Sequence, residues 1–140
     1  MLFIVIFFIM PVAFILCFLI INAITTYSQK KANKDAMRWR YDLAQRMADD
    51  FKRIGWYTWG TGAHLTDEQA TRMKQAALST KMKLIEYHPD FHSAIVEDEY
   101  GTYCHIDEFG YCSCPDCEKR QLPCKHIYFA FLRIVDQLDD

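Results

Sequence analysis

Between Leu2 and Ile24 the chain carries no charged side chain and consists almost wholly of Leu, Ile, Phe, Val, Met and Ala. The run has neither the period of an amphipathic helix nor the alternation of a half-buried strand, so a helix made from it is apolar on every face. At about 1.5 Å per residue it is somewhat longer than the roughly 30 Å hydrocarbon core of a bilayer. A chain of 140 residues leaves too little remaining core to enclose such a helix. We therefore expect residues 1–27 to be a transmembrane anchor, with residues 2–24 in the lipid. Pro11 removes one intrahelical hydrogen bond and is expected to bend the span, which a membrane helix tolerates when the freed carbonyl is shielded. A cleavable signal peptide would need a basic start and a shorter apolar stretch. Here the first basic side chain is Lys30, and Asn22-Ala23 is a faint cleavage signal.

Beyond the apolar run the pattern becomes periodic. Met37, Tyr41, Ala44, Met47, Phe51 and Ile54 recur every three to four residues, which predicts a helix over Lys34–Ile54 with one apolar stripe, ended by Gly55. Residues 28–62 then comprise this juxtamembrane helix and a loop rich in aromatic residues and glycine, Trp56 to Gly62. Trp56 and Trp59 could line a binding site or rest at a membrane interface; a small domain's need for large apolar groups makes burial the expectation.

Residues 63–92 are predicted to supply a helix and a strand that pack on residues 93–140. Thr66 can cap the helix, Gln69 can complete a capping box, and Leu65 with Ala70 can form a hydrophobic staple. The helix should run to about Ser79 with Met73, Ala76 and Ala77 inward, followed by a strand at Met82–Tyr87 and a turn at His88-Pro89-Asp90. In residues 93–140, Ser93–Val96 and Thr102–Ile106 read as antiparallel strands, and Asp107–Gly110 turns the chain into Tyr111-Cys112-Ser113. Pro123 and Cys124 open a last helix, with Ile127, Ala130, Phe131, Ile134 and Leu138 inward. The predicted class is α+β: a single amino-terminal transmembrane helix, a small helical region, then a β-hairpin and a carboxyl-terminal helix.

The chemistry is concentrated at Cys112-Ser113-Cys114 and Cys124-Lys125-His126. Three thiolates and one imidazole nitrogen form a closed tetrahedral donor set for zinc, with no position left for water or substrate, so the site reads as structural. Cys117 lies three residues after Cys114, and Cys114, Cys117, Cys124 and His126 form a second possible set. A Cys114/Cys117 redox dithiol is a further reading, but it normally opens a helix in a larger α/β unit, and Pro115, Pro123 and the short strands do not fit that setting. Cys104 and His105 are adjacent in a strand and point to opposite faces, so Cys104 is expected in the core and His105 half exposed. His64, His88 and His92 have no second ligand at metal spacing.

The order of Tyr103, Gly110, Cys112-Ser113-Cys114-Pro115-Asp116 and Pro123-Cys124-Lys125-His126-Ile127 resembles the SWIM zinc-finger family, with its Cys-x-Cys-x9-Cys-x-His spacing. The likeness covers roughly residues 93 to 133. It implies a zinc-stapled ββα unit, one structural Zn2+ on Cys112, Cys114, Cys124 and His126, and a role in binding DNA or protein. The position after Pro115-Asp116 is commonly aromatic in the family and is Cys117 here.

Charge separates these partners. Residues 25–56 hold eight basic and four acidic side chains, whereas residues 93–140 hold four basic and ten acidic ones, net −6. An acidic finger is poorly suited to a phosphate backbone, and Lys119, Arg120 and Lys125 stand among carboxylates, so a protein partner is expected over nucleic acid. Lys30, Lys31, Lys34, Arg38 and Arg40 all follow the span, which places the carboxyl-terminal domain in the cytoplasm and the amino terminus outside. Five cysteines after the span, an odd number, agree with a reducing compartment. The sequence shows no phosphate-binding glycine loop, nucleophile elbow or catalytic carboxylate pair, so neither enzymatic activity nor a small-molecule substrate is expected.

Overall fold

A computed structural model describes residues 2–138, with side chains described from residue 14 onward. The chain divides into two units, Met1–Trp39 and Arg40–Asp140.

The first unit is helical throughout its described length and belongs to α1 (Leu2–Arg53). The helix expected over residues 2–24 and the one predicted from Lys34 are thus one continuous element, within which Thr25 and Thr26 each turn the hydroxyl back onto the Asn22 carbonyl, at 3.0 and 2.7 Å. Phe14, Ile15, Leu16, Phe18, Leu19, Ile20, Ile21 and Ile24 are all more than half exposed. Among the described residues, no helix is long and apolar enough to cross a membrane. The anchor expected at residues 2–24 begins in a stretch, residues 2–13, whose side chains lie outside the described ones.

The second unit begins with the last turns of α1. Ala44, Met47, Phe51 and Ile54 are buried, as the apolar stripe predicts. Met37 and Tyr41 are not, at 65% and 54% exposure, so the stripe meets a core only from Ala44 onward. Phe51 is fully buried and stacks on Phe131 of the last helix, with ring centroids 4.1 Å apart and planes 5° from parallel. Gly55, at φ +89°, ends the helix in the left-handed conformation that favours glycine.

Trp56 and Trp59 fold back into the core at 0% and 3% exposure, which agrees with their expected burial. Trp56 donates its indole N–H to the His92 carbonyl. α2 (Asp67–Leu78) starts as predicted, with the Thr66 hydroxyl accepting from the Gln69 N–H at 3.2 Å. The reciprocal half of the capping box is absent, because the Gln69 side chain is buried rather than turned back to Thr66. Leu65 and Ala70 are both exposed, and so is Ala77, leaving Met73 and Ala76 as the inward pair.

β1 (Lys83–His88), β2 (Ser93–Glu97) and β3 (Tyr103–Ile106) form one antiparallel sheet in that order. The hairpin thus gains β1 as a third strand, with an irregularity between Leu84 and Glu86. Alternation along β2 and β3 sends Ala94, Val96, Cys104 and Ile106 inward. Two more helices complete the unit: α3 (Pro115–Arg120) and α4 (Lys125–Leu138). α4 packs on α2, β1 and β2 through a face wider than predicted: Tyr128 and Phe129 are buried with Ile127, Ala130, Phe131 and Ile134, whereas Leu138 is 56% exposed.

Candidate metal centre

Three local structures carry the donors. Beyond β3 the chain reverses through Asp107–Gly110, with Gly110 N–H donating to the Asp107 carbonyl at 3.0 Å, and Cys112 forms an isolated bridge with Ile106. This reversal turns Cys112 and Cys114 inward while Ser113, between them, faces out and donates its N–H to the His105 carbonyl at 2.8 Å. Cys114 is the N-cap of α3, and its sulfur accepts from the Cys117 N–H at 3.4 Å. Pro115 stands in the first turn of α3, where its missing N–H removes no intrahelical bond. Gln121, in the left-handed region at φ 52°, ends α3 and leads to Pro123 and Cys124. The Cys124 carbonyl accepts the first bond of α4, from Tyr128 N–H at 3.2 Å, so Cys124 and His126 enter together at that helix's start.

The structure brings Cys112, Cys114, Cys124 and His126 together: all four are buried, and one donor atom from each lies within 4.8 Å of the others. His126 turns Nδ1 toward this group, 3.9 Å from Cys112 Sγ and 3.7 Å from Cys124 Sγ. Tetrahedral zinc with bonds of about 2.0 Å to nitrogen and 2.3 Å to sulfur requires N···S edges close to these, so the donors fit the ion in kind, number and spacing. Cys117 is buried at 1% exposure but stands outside the four-donor group.

Electrostatics point the same way. Cys114 is held far below the ordinary thiol range by hydrogen bonds from Cys112 and Cys124. Cys112 is pushed up by its bond to Cys114, and Cys124 by its bonds to Cys112 and Cys114. Cys117 is lowered to about 7 by its hydrogen bond with the Cys124 thiol. Crowded buried sulfurs resist joint ionisation, and a divalent cation is what makes three adjacent thiolates compatible.

Sequence spacing does not place a fifth thiol in this region, but the fold does. Cys104 is buried as expected and His105 is exposed, and Cys104 Sγ lies 3.9 Å from His126 Nε2. Asp98, Cys104 and His126 form a second convergence of donor atoms within 4.8 Å. The inward alternation of β3 is the available signal, since the residue before His105 must share the face of Ile106.

Of the other histidines, His88 faces Glu86 at 3.2 Å on the surface, and His92 is exposed. His64 is buried instead, with Nδ1 2.9 Å from the Tyr128 hydroxyl, and burial lowers its pKa to about 4.

The finger's basic residues are largely engaged. Arg120 pairs with Asp116 and reaches Glu68 at 3.5 Å, Lys125 pairs with Glu99, and Arg72 pairs with Glu68 at 2.8 Å. Among the described residues no ion pair engages Lys119, which is exposed. Glu68, Arg72, Asp116 and Lys125 line a cleft of about 420 Å³ between α2 and the start of α4, whose walls carry both signs.

The SWIM zinc finger family model matches residues 96–134, from β2 to α4, so this segment is similar to a SWIM-type finger and contains all four clustered donors. No match was found among curated proteins or among solved structures.

Proposed function

We propose that this chain is a membrane-anchored, non-enzymatic binding module whose SWIM-type finger is held by one structural zinc ion on Cys112, Cys114, Cys124 and His126. The observation that carries the reading is the convergence of these four buried donors in the segment that matches the SWIM finger. When bound, zinc supplies a cross-link between the turn after β3 and the start of α4, and its four protein ligands leave no position for substrate. Cys114 and Cys124 stand at the starts of α3 and α4, where helix N-termini favour thiolate over thiol. Such a link supports a domain too small to rely on its apolar core alone.

The charge-free run of residues 2–24 and the outward apolar side chains from Phe14 to Ile24 support anchoring in a bilayer. The basic residues after the run support a cytoplasmic finger. The acidic finger, with Arg120 and Lys125 paired to carboxylates, supports a protein partner over DNA. The nucleic-acid reading would draw on Lys119 and the basic residues 30–53, and it predicts binding that weakens steeply with salt.

The test is the metal content of the full chain purified in detergent, beside Cys112→Ser and Cys117→Ser. One zinc per chain, lost in Cys112→Ser and kept in Cys117→Ser, is the expected result. A zinc-free wild type with an oxidisable Cys114/Cys117 pair would overturn it in favour of redox chemistry. Recovery of the wild type in the alkaline carbonate supernatant of cell membranes would overturn the anchor alone.

A further inference from the structure

His126 has two differently occupied sides. Nδ1 faces Cys112 and Cys124, at 3.9 and 3.7 Å, while Nε2 lies 3.9 Å from Cys104 Sγ. A carboxylate oxygen of Asp98 completes that second group, within 4.8 Å of Cys104 Sγ and a His126 ring nitrogen. We propose that Asp98 and Cys104 are positioning residues for the metal centre: they hold the His126 ring so that Nδ1 faces the ion and Nε2 keeps the proton. This rests on the zinc reading above.

The chemistry is that of the ring. A neutral imidazole that gives its Nδ1 lone pair to a metal must carry its hydrogen on Nε2, and that hydrogen needs an acceptor where the ring is buried. His126 is 5% exposed. The thiol of Cys104 is a weak acceptor, and the Asp98 carboxylate is a strong one. Asp98 is itself fixed, because Oδ1 accepts the N–H groups of Tyr100 and Thr102, each at 2.8 Å, across the turn between β2 and β3. Its second oxygen is not used by that turn, so one residue can both close the hairpin and address the histidine. Cys104 reaches the same place from the inward face of β3. The turn, the strand and the helix start thereby act on one ring, and an outer carboxylate on a metal-bound histidine raises its basicity as a ligand.

Asp98→Asn separates the two roles of Asp98, because an amide oxygen still accepts the turn's N–H groups but carries no charge. Cys104→Ala removes the sulfur without touching the turn. The experiment measures zinc affinity by chelator competition on the full chain in detergent, and tracks the His126 ring nitrogens and the exchange of Nε2–H by NMR. The expected result is one zinc per wild-type chain, bound at His126 Nδ1 with a protected Nε2–H. Asp98→Asn should lose about 10- to 100-fold in affinity with faster Nε2–H exchange, and Cys104→Ala should show a smaller change in the same direction. Unchanged affinity and exchange in both variants, with one zinc still bound, would overturn this inference and leave the zinc reading standing. Ligation through Nε2, or two metal ions per chain with Asp98 and Cys104 as ligands, would also overturn it. A wild type that takes up no zinc would overturn both.

Discussion

Trp59 donates its indole N–H to the carbonyl oxygen of Gly110 at 2.8 Å, joining residues 51 positions apart. The loop after α1 is thereby bound to the turn that delivers Cys112. Gly110 is at φ +85°, and a Cβ there would lie 2.9 Å from the Cβ and Cγ of Trp56.

Gly110→Ala combines a left-handed backbone with a contact against a buried ring. It is expected to destabilise the domain by about 2–4 kcal/mol. Denaturant unfolding of the zinc-saturated chain measures this. A loss under about 0.5 kcal/mol, the range of an ordinary surface change, would mean that the turn can shift away from Trp56.

The two ends of the apolar stripe on α1 should respond differently. Phe51→Ala removes a fully buried ring stacked on Phe131 and is expected to cost about 3–5 kcal/mol. Met37→Ala, at an exposed position, should change stability by less than about 0.5 kcal/mol. Similar losses in both variants would show that the helix buries a longer face.

Acid should weaken the domain partly through His64. Its folded pKa is lowered from 6.5 to about 4, chiefly by burial, and the Tyr128 hydroxyl, the Phe51 ring and the Trp59 backbone surround it. Above pH 6.5 both folded and unfolded forms are neutral and the group has no effect on pH dependence. Between 6.5 and about 4 the unfolded chain binds the proton and the folded one does not, so stability falls with pH, levelling off below the folded value. The full effect is about 3 kcal/mol. Comparing wild type with His64→Gln at matched pH isolates it, because acid also displaces zinc in both chains. Parallel stability curves would assign the acid loss to other groups.

Removing zinc should loosen the segment that holds Trp59. Chelation is expected to red-shift tryptophan emission, since Trp56 and Trp59 leave a buried setting while Trp39 is already 61% exposed. Restoring zinc should reverse the shift. An unchanged spectrum after verified metal removal would show that the core holds without the cross-link.

Much of residues 63–140 is legible in the sequence because its signals are local. The spacing of Cys112, Cys114, Cys124 and His126, the alternation of the strands and the Thr66 cap each involve neighbours along the chain, and each corresponds to a feature of the structure. The long charge-free run of residues 2–24 is just as plain, since composition alone makes a helix built from it apolar on every side.

What the tertiary structure decided depends on residues far apart. Periodicity marks Met37, Tyr41, Ala77 and Leu138 as inward, yet a periodic face is buried only where another element covers it, and none of the four is covered. Spacing leaves Cys112 and Cys117 as rivals; the path through Gly110 and α3 is what brings Cys112 into the four-donor group. The approach of Asp98 and Cys104 to His126 has no signature in sequence spacing, because it arises where a hairpin turn, an inward strand position and a helix start meet. Local pattern determined which elements and which donor types this chain has, and long-range packing determined which of those donors stand together.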